Sequence, residues 1–114
     1  MIDTIRPTIE CAVTDELLNA SRIHGDRFAS LSEGYGVLAE EEQEARDEGD
    51  EARIDMERLL RAIRMDDRVR MLDSCKHIKR RAILAACEWV QVAAVCKKLI
   101  SQIKAEDRNH EGSV

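Results

Sequence analysis

The chain is short of the residues that build loops, rigid cores and disulfide frameworks. In 114 residues it has one Pro and five Gly, too few for a loop-rich or collagen-like chain. One Trp, one Tyr and one Phe leave the core to Leu, Ile, Val, Ala and Met. That palette, mixed with many Glu and Arg, favours helices over strands. The four cysteines, Cys11, Cys75, Cys87 and Cys96, form no C-x-x-C pair, which removes the zinc-ribbon and thioredoxin patterns. Cys87 and Cys96 fall on opposite sides of a helix. Reduced, mostly buried thiols are the expectation. No apolar run approaches the ~20 residues of a membrane span, and no apolar leader opens the sequence. The expectation is therefore a soluble cytoplasmic protein without a membrane partner.

What is present is charge, unevenly placed. Residues 1–51 hold 14 acidic and 4 basic side chains, and residues 52–104 hold 13 basic and 6 acidic ones, within a net charge of -5. An acidic half opposite a basic half suits helix pairing within or between chains. The overall sign argues against nucleic acid as a partner, leaving room only for a local basic patch that holds phosphates.

The length fits one domain. The expected organisation is a single all-α domain over 1–104 and a flexible polar tail over 105–114. Residues 1–6 read as a lead-in, with Pro7 in the first turn of a helix. Ile5, Ile9, Val13 and Leu17 mark one helical face, and Gly25 suits the position after its end. Ser30 and Glu33 form a capping-box pattern, with Ser32 as the alternative cap. The helix that follows is expected to end near Gly49-Asp50. Gly34 and Gly36 in its first turns lower its propensity and suggest a close approach there. A third helix is expected from Glu51 to Met65, with a bend at Met65-Asp66-Asp67 or a continuation to Leu72. Asp73-Ser74 reads as the cap of a last helix from Cys75 to Lys104. The sum is a helical bundle of four to five helices.

One segment raises a chemical question. From Ile83 to Cys96 every residue is apolar or small except Glu88 and Gln91. A carboxylate in such surroundings is unfavourable unless it is neutralised, paired or bound to a metal. Glu41 and Glu44 are i, i+3 neighbours on the earlier helix, and Glu48 lies one turn on along the same stripe. Glu88 and Gln91 repeat the i, i+3 spacing. Two antiparallel helices carrying these pairs can converge four oxygen ligands, a donor set for a hard cation such as Mg2+, Mn2+ or Ca2+. The plain alternatives are a solvated acidic face and a Glu88 paired with a base from the basic half. A di-iron bundle is excluded, because none of His24, His77 and His110 follows a Glu by three positions. Arg81 and Lys98 lie seven residues outside Glu88 and Gln91 and suit phosphate oxygens. They equally suit snorkelling at the ends of the apolar segment. Phe28, Tyr35 and Trp89 are expected to pack in the core ahead of stacking on a base.

The segments "FASLSEGYGVLAEEEQEARDE" and "AILAACEWVQVAAVCKKLI" together resemble the MazG-like branch of the all-α nucleoside-triphosphate pyrophosphohydrolases, especially its small phage-encoded members. The family pattern is E-E-x-x-E on one helix and E-x-x-D on a later one. Glu40, Glu41 and Glu44 match the first, and Glu88 opens the second. Gln91 stands where the family has Asp, which removes one negative charge. The resemblance covers about residues 24–48 and 77–100, and 51–76 is less distinctive. It implies a MazG-like, oligomeric fold (a homodimer or tetramer). It also implies Mg2+-dependent cleavage of a nucleoside triphosphate to monophosphate and pyrophosphate, with Mn2+ as an alternative ion. Under it, Glu41, Glu44, Glu88 and Gln91 hold the metal and Glu40 supports it or orients the water. The contrasting reading is a non-enzymatic helical interaction protein, or a family member that binds nucleotide with weakened catalysis.

Overall fold

A computed structural model describes residues 2–112, so the end of the expected 105–114 tail lies outside the described residues. The described chain is all-α, with three long helices: α1 Ile2–His24, α2 Leu31–Arg64 and α3 Arg68–Gly112. Three helices replace the four to five expected from sequence, because two expected boundaries do not form. Gly49 and Asp50 are helical and exposed. A mid-helix glycine costs about 1 kcal/mol relative to Ala, too little to stop a helix flanked by strong helix formers. Asp73 and Ser74 also lie inside a helix, and Ser74 is buried there.

The boundaries that do form have clear causes. Gly25 leaves α1 with a left-handed φ of 87°, and its N–H donates to the Ser21 carbonyl at 2.9 Å. This is the expected glycine terminus. Ser30, not Ser32, caps α2, since the Glu33 N–H donates to Ser30 Oγ at 3.0 Å. The bend at Met65–Asp67 is a Schellman turn closed by aspartate. Asp66 has φ 51°, its N–H donates to the Ile63 carbonyl at 3.1 Å, and the Asp67 N–H reaches back to Ala62 at 2.9 Å. Asp is one of the few non-glycine residues that tolerate this region. Asp67 then caps α3 by accepting from the Arg70 N–H at 3.1 Å. α1 starts earlier than expected, at Ile2 with Pro7 inside it; the bond that Pro7 lacks is one to the first turn. α3 runs beyond Lys104 to Gly112.

By internal contacts the chain divides into two compact units, Met1–Glu41 with Val90–Val114, and Glu42–Trp89. The first contains α1, the start of α2 and the end of α3. In it, Gln102 is buried and clamps the loop before α2. Its Oε1 accepts from the Phe28 N–H at 2.9 Å, and its Nε2 donates to the Phe28 carbonyl at 3.2 Å. Gly34 lets Phe28 and α3 come close: a Cβ there would lie 2.5 Å from Leu99 Cδ2 and 2.8 Å from Phe28 Cδ2. The close approach expected from the glycines is thus real at Gly34. Gly36 has nothing within 4 Å.

The second unit is an antiparallel hairpin of α2 from Glu42 and α3 to Trp89. Its least exposed positions step by three and four, Ala45, Glu48, Ala52, Asp55, Leu59 and Ala62 on α2, and Met71, Ser74, Ile78, Arg81, Ala85 and Glu88 on α3. That is a coiled-coil seam built largely of small and polar side chains. Apart from Leu59, Met71 and Ile78, the larger apolar residues of this unit lie outside it. Of the expected core aromatics, Tyr35 and Trp89 are exposed. Cys11, Cys75 and Cys87 are also exposed, and Cys96 is half-buried, all as free thiols. The expectation of buried thiols is corrected, because helices with partners on only part of their circumference leave these positions open. No helix is long and apolar enough to cross a membrane.

Candidate functional site

Helical spacing sets the site. Glu44 of α2 and Glu88 of α3 meet on the seam of the second unit. Glu41 lies one turn before Glu44 on the same unbroken helix. Within the second unit, a carboxylate oxygen of Glu44 lies within 4.8 Å of one of Glu88. Glu44 is exposed, and Glu41 and Glu88 are half-buried. The apolar segment around Glu88 does not enclose it as expected: Ile83 and Trp89 are 55% and 47% exposed.

Glu88 nonetheless holds its proton more tightly than an ordinary carboxylic acid. Partial withdrawal from water is the main cause. The negative charge of Glu44, a hydrogen bond with the Glu44 carboxyl, and the charge of Glu48 add to it. Two carboxyl groups can share such a bond only if one carries a proton. Among the described residues no lysine or arginine pairs with Glu88. The expected alternative of a Glu88 ion pair is therefore not what the fold makes. The nearby base goes elsewhere: Arg81 Nη1 donates to Glu48 at 3.1 Å. This bond raises the guanidinium's affinity for its proton. Arg81, a candidate phosphate ligand from sequence, is engaged by Glu48.

The first unit holds a cavity of about 450 Å3. Glu16, Glu33, Glu41 and Gln91 line it together with Phe28 and Lys98. Lys98 is 8% exposed and places its Nζ 4.2 Å from the centre of the Phe28 ring, a cation–π contact. Three of the expected site residues, Glu41, Gln91 and Lys98, thus line one cavity. Glu40 is exposed on α2 and lies outside both groups.

Sequence reasoning missed Glu16 and Glu33 at the cavity and Gln102 behind Phe28. Glu16 sits in an ordinary amphipathic helix turn, and the local pattern around Glu33 reads only as a capping box. Gln102 lies 74 residues from its partner, and no local signal encodes that pairing. Comparison of the chain with family models, with curated proteins and with solved structures gives no match.

Proposed function

We propose that the chain is a divalent-metal-dependent nucleotide pyrophosphohydrolase, which hydrolyses (deoxy)nucleoside triphosphates to monophosphate and pyrophosphate. The observation that carries this reading is the meeting of Glu44 and Glu88 with no base paired to Glu88, although the same seam supplies an arginine to Glu48; Glu41 joins them here on the family pattern alone. Two carboxyl groups held together without a base are unfavourable once both are charged, and a hard divalent ion relieves them. The donor set fits Mg2+ or Mn2+, since it is all oxygen. Bound there, the ion would neutralise phosphate oxygens and orient the substrate. Lys98 presents a fixed positive charge to phosphate at the cavity, and Gln91 adds an amide oxygen. Glu40, on the same helix, is the group assigned to orient the attacking water. The protein acts as a homodimer or tetramer in this reading.

The non-enzymatic reading keeps one specific support, the large apolar side chains left open on the helices. Gln91 in place of a carboxylate also favours weakened catalysis. One experiment separates these readings. Pyrophosphate release is measured from a panel of nucleoside triphosphates with Mg2+, with Mn2+ and with chelator, beside thermal unfolding in the same buffers. Metal-dependent release supports the enzyme. Metal stabilisation without release supports a binding protein, and neither effect leaves the interaction reading.

A further inference from the structure

The second unit carries another polar cluster, at the closed end of its hairpin. Arg58, Arg61 and Met65 step by i, i+3 and i+7 along the last turns of α2, so they share one side of it. Arg70 and Asp73 do the same in the first turns of α3. The turn between the helices sets these sides together, and they line an open cavity of about 290 Å3. Ala62 and Ser74, both buried, complete its wall.

Two features point to a ligand. Ser74 is 9% exposed, and its hydroxyl has no hydrogen-bond partner among the described residues. A serine inside a helix ordinarily turns its hydroxyl to solvent or to the carbonyl one turn back. Alanine would pack the seam as well, as it does at Ala45 and Ala62. Arg61 is the second feature: it is exposed and forms no ion pair among the described residues. The dipole at the end of α2 favours a base in its last turn, but it does not bring Arg70 to the same cavity from the other helix.

Arg58 and Arg70 are already held in place. Arg58 Nη1 donates to Oδ1 of the buried Asp55 at 3.2 Å, and Arg70 Nε lies 3.4 Å from Asp67 Oδ2. A guanidinium has donors to spare after one such contact, so each acid orients its arginine without exhausting it. With Asp55 and Asp67 counted, the charges at the cavity balance, and the surplus comes from the surroundings: residues 58–80 hold eight bases and three acids. Guanidinium groups from two helices and a free hydroxyl suit the oxygens of one phosphate group. Asp73 is exposed and accepts hydrogen bonds, which suits a sugar hydroxyl and repels the next phosphate of a long polyanion. The cavity lies near the small end of ligand clefts, about 300 Å3.

We infer that this cavity binds a small sugar phosphate, with Arg58, Arg61, Arg70 and Ser74 on the phosphate and Asp73 on a hydroxyl. Ser74 precedes Glu88 by 14 residues, about 21 Å along α3. The site is therefore separate from the Glu44–Glu88 pair, and it stands whether or not that pair holds a metal.

The test is isothermal titration calorimetry on the full chain, in chelator at low salt, with ribose 5-phosphate, inorganic phosphate and ribose. The ester is expected to bind with a Kd of about 1 mM or below, free phosphate at least about threefold more weakly, and ribose not at all. Arg61→Gln should weaken both phosphate probes roughly tenfold, the loss of one charge-assisted hydrogen bond. Ser74→Ala should weaken them about threefold to tenfold, while thermal unfolding shows a fold at least as stable, an outcome that a merely structural serine would not give. Asp73→Asn should tighten free phosphate and erase the advantage of the ester. Four results would overturn the proposal. These are no binding of either phosphate probe, free phosphate binding as tightly as the ester, Arg61→Gln and Ser74→Ala variants that bind like the wild type, and a short DNA duplex binding more tightly than the ester.

Discussion

Replacing Glu88 by Gln tests whether its carboxylate is there for a cation. The shape is nearly kept and one negative charge is removed. Oxygens of Glu44 and Glu88 lie within 4.8 Å of each other. At that separation each pair of full charges repels by about 0.9 kcal/mol in a water-like dielectric and about 3.5 kcal/mol at an effective constant of 20. Glu44 is exposed and Glu88 half-buried, which places the value near the lower figure. One repulsion vanishes with Glu88, so the variant should gain about 1 kcal/mol at neutral pH without metal, or about 4 °C in Tm. The pH dependence follows from the raised affinity of Glu88 for its proton. The folded state binds that proton better than the unfolded one. The wild type therefore loses this contribution as pH rises from the ordinary carboxylate range through the higher value of Glu88, and it is free of the penalty below. Glu88→Gln should flatten that slope. Metal reverses the order, since a ligand at 100 times its Kd adds about 2.7 kcal/mol to the form that binds it. Wild-type protein should therefore gain roughly 10 °C with saturating Mg2+ or Mn2+, and the variant little. The assay is thermal unfolding by circular dichroism from pH 4 to 8, with chelator and with metal. A variant less stable than the wild type in chelator would refute the reasoning, because it would mean that the charge of Glu88 supports the fold.

Gln91→Asp should lower apo stability and enlarge the metal-induced rise in Tm, with pyrophosphate release appearing or increasing; equal destabilisation with and without metal and no release would sink the cation site. Gly34→Ala should cost about 1–3 kcal/mol in denaturant unfolding, the range for overpacking, because its Cβ meets Leu99 and Phe28 at 2.5 and 2.8 Å. Gly36→Ala, with nothing within 4 Å, should instead stabilise by about 0.5–1 kcal/mol, and equal effects at the two glycines would contradict the packing described. Gln102→Ala removes both bonds to the Phe28 backbone and should cost about 1–3 kcal/mol, read as a lower urea midpoint at unchanged slope.

Sequence alone determined what is local. Helix type followed from composition and period and the end of α1 from Gly25, since each depends on groups within four residues of one another; the start of α2 was narrowed to Ser30 or Ser32, and the structure chose Ser30. The Glu41–Glu44 pairing was legible for the same reason: i, i+3 spacing on a helix is fixed by geometry. Helix number was not legible, because a glycine at 49 and the Asp73-Ser74 pair carry terminator chemistry that costs only about 1 kcal/mol each against long flanking helices, and the real break used an aspartate in the left-handed region. Tertiary structure alone decided the rest. It brought Glu88 to Glu44, gave Arg81 to Glu48 and left Glu88 without a base, and it folded Gln102 onto Phe28. It also left Tyr35 and Trp89 open, where a place in the core was expected. An apolar stripe says that a face seeks cover, and only the packing of whole helices says whether the chain's own residues supply it.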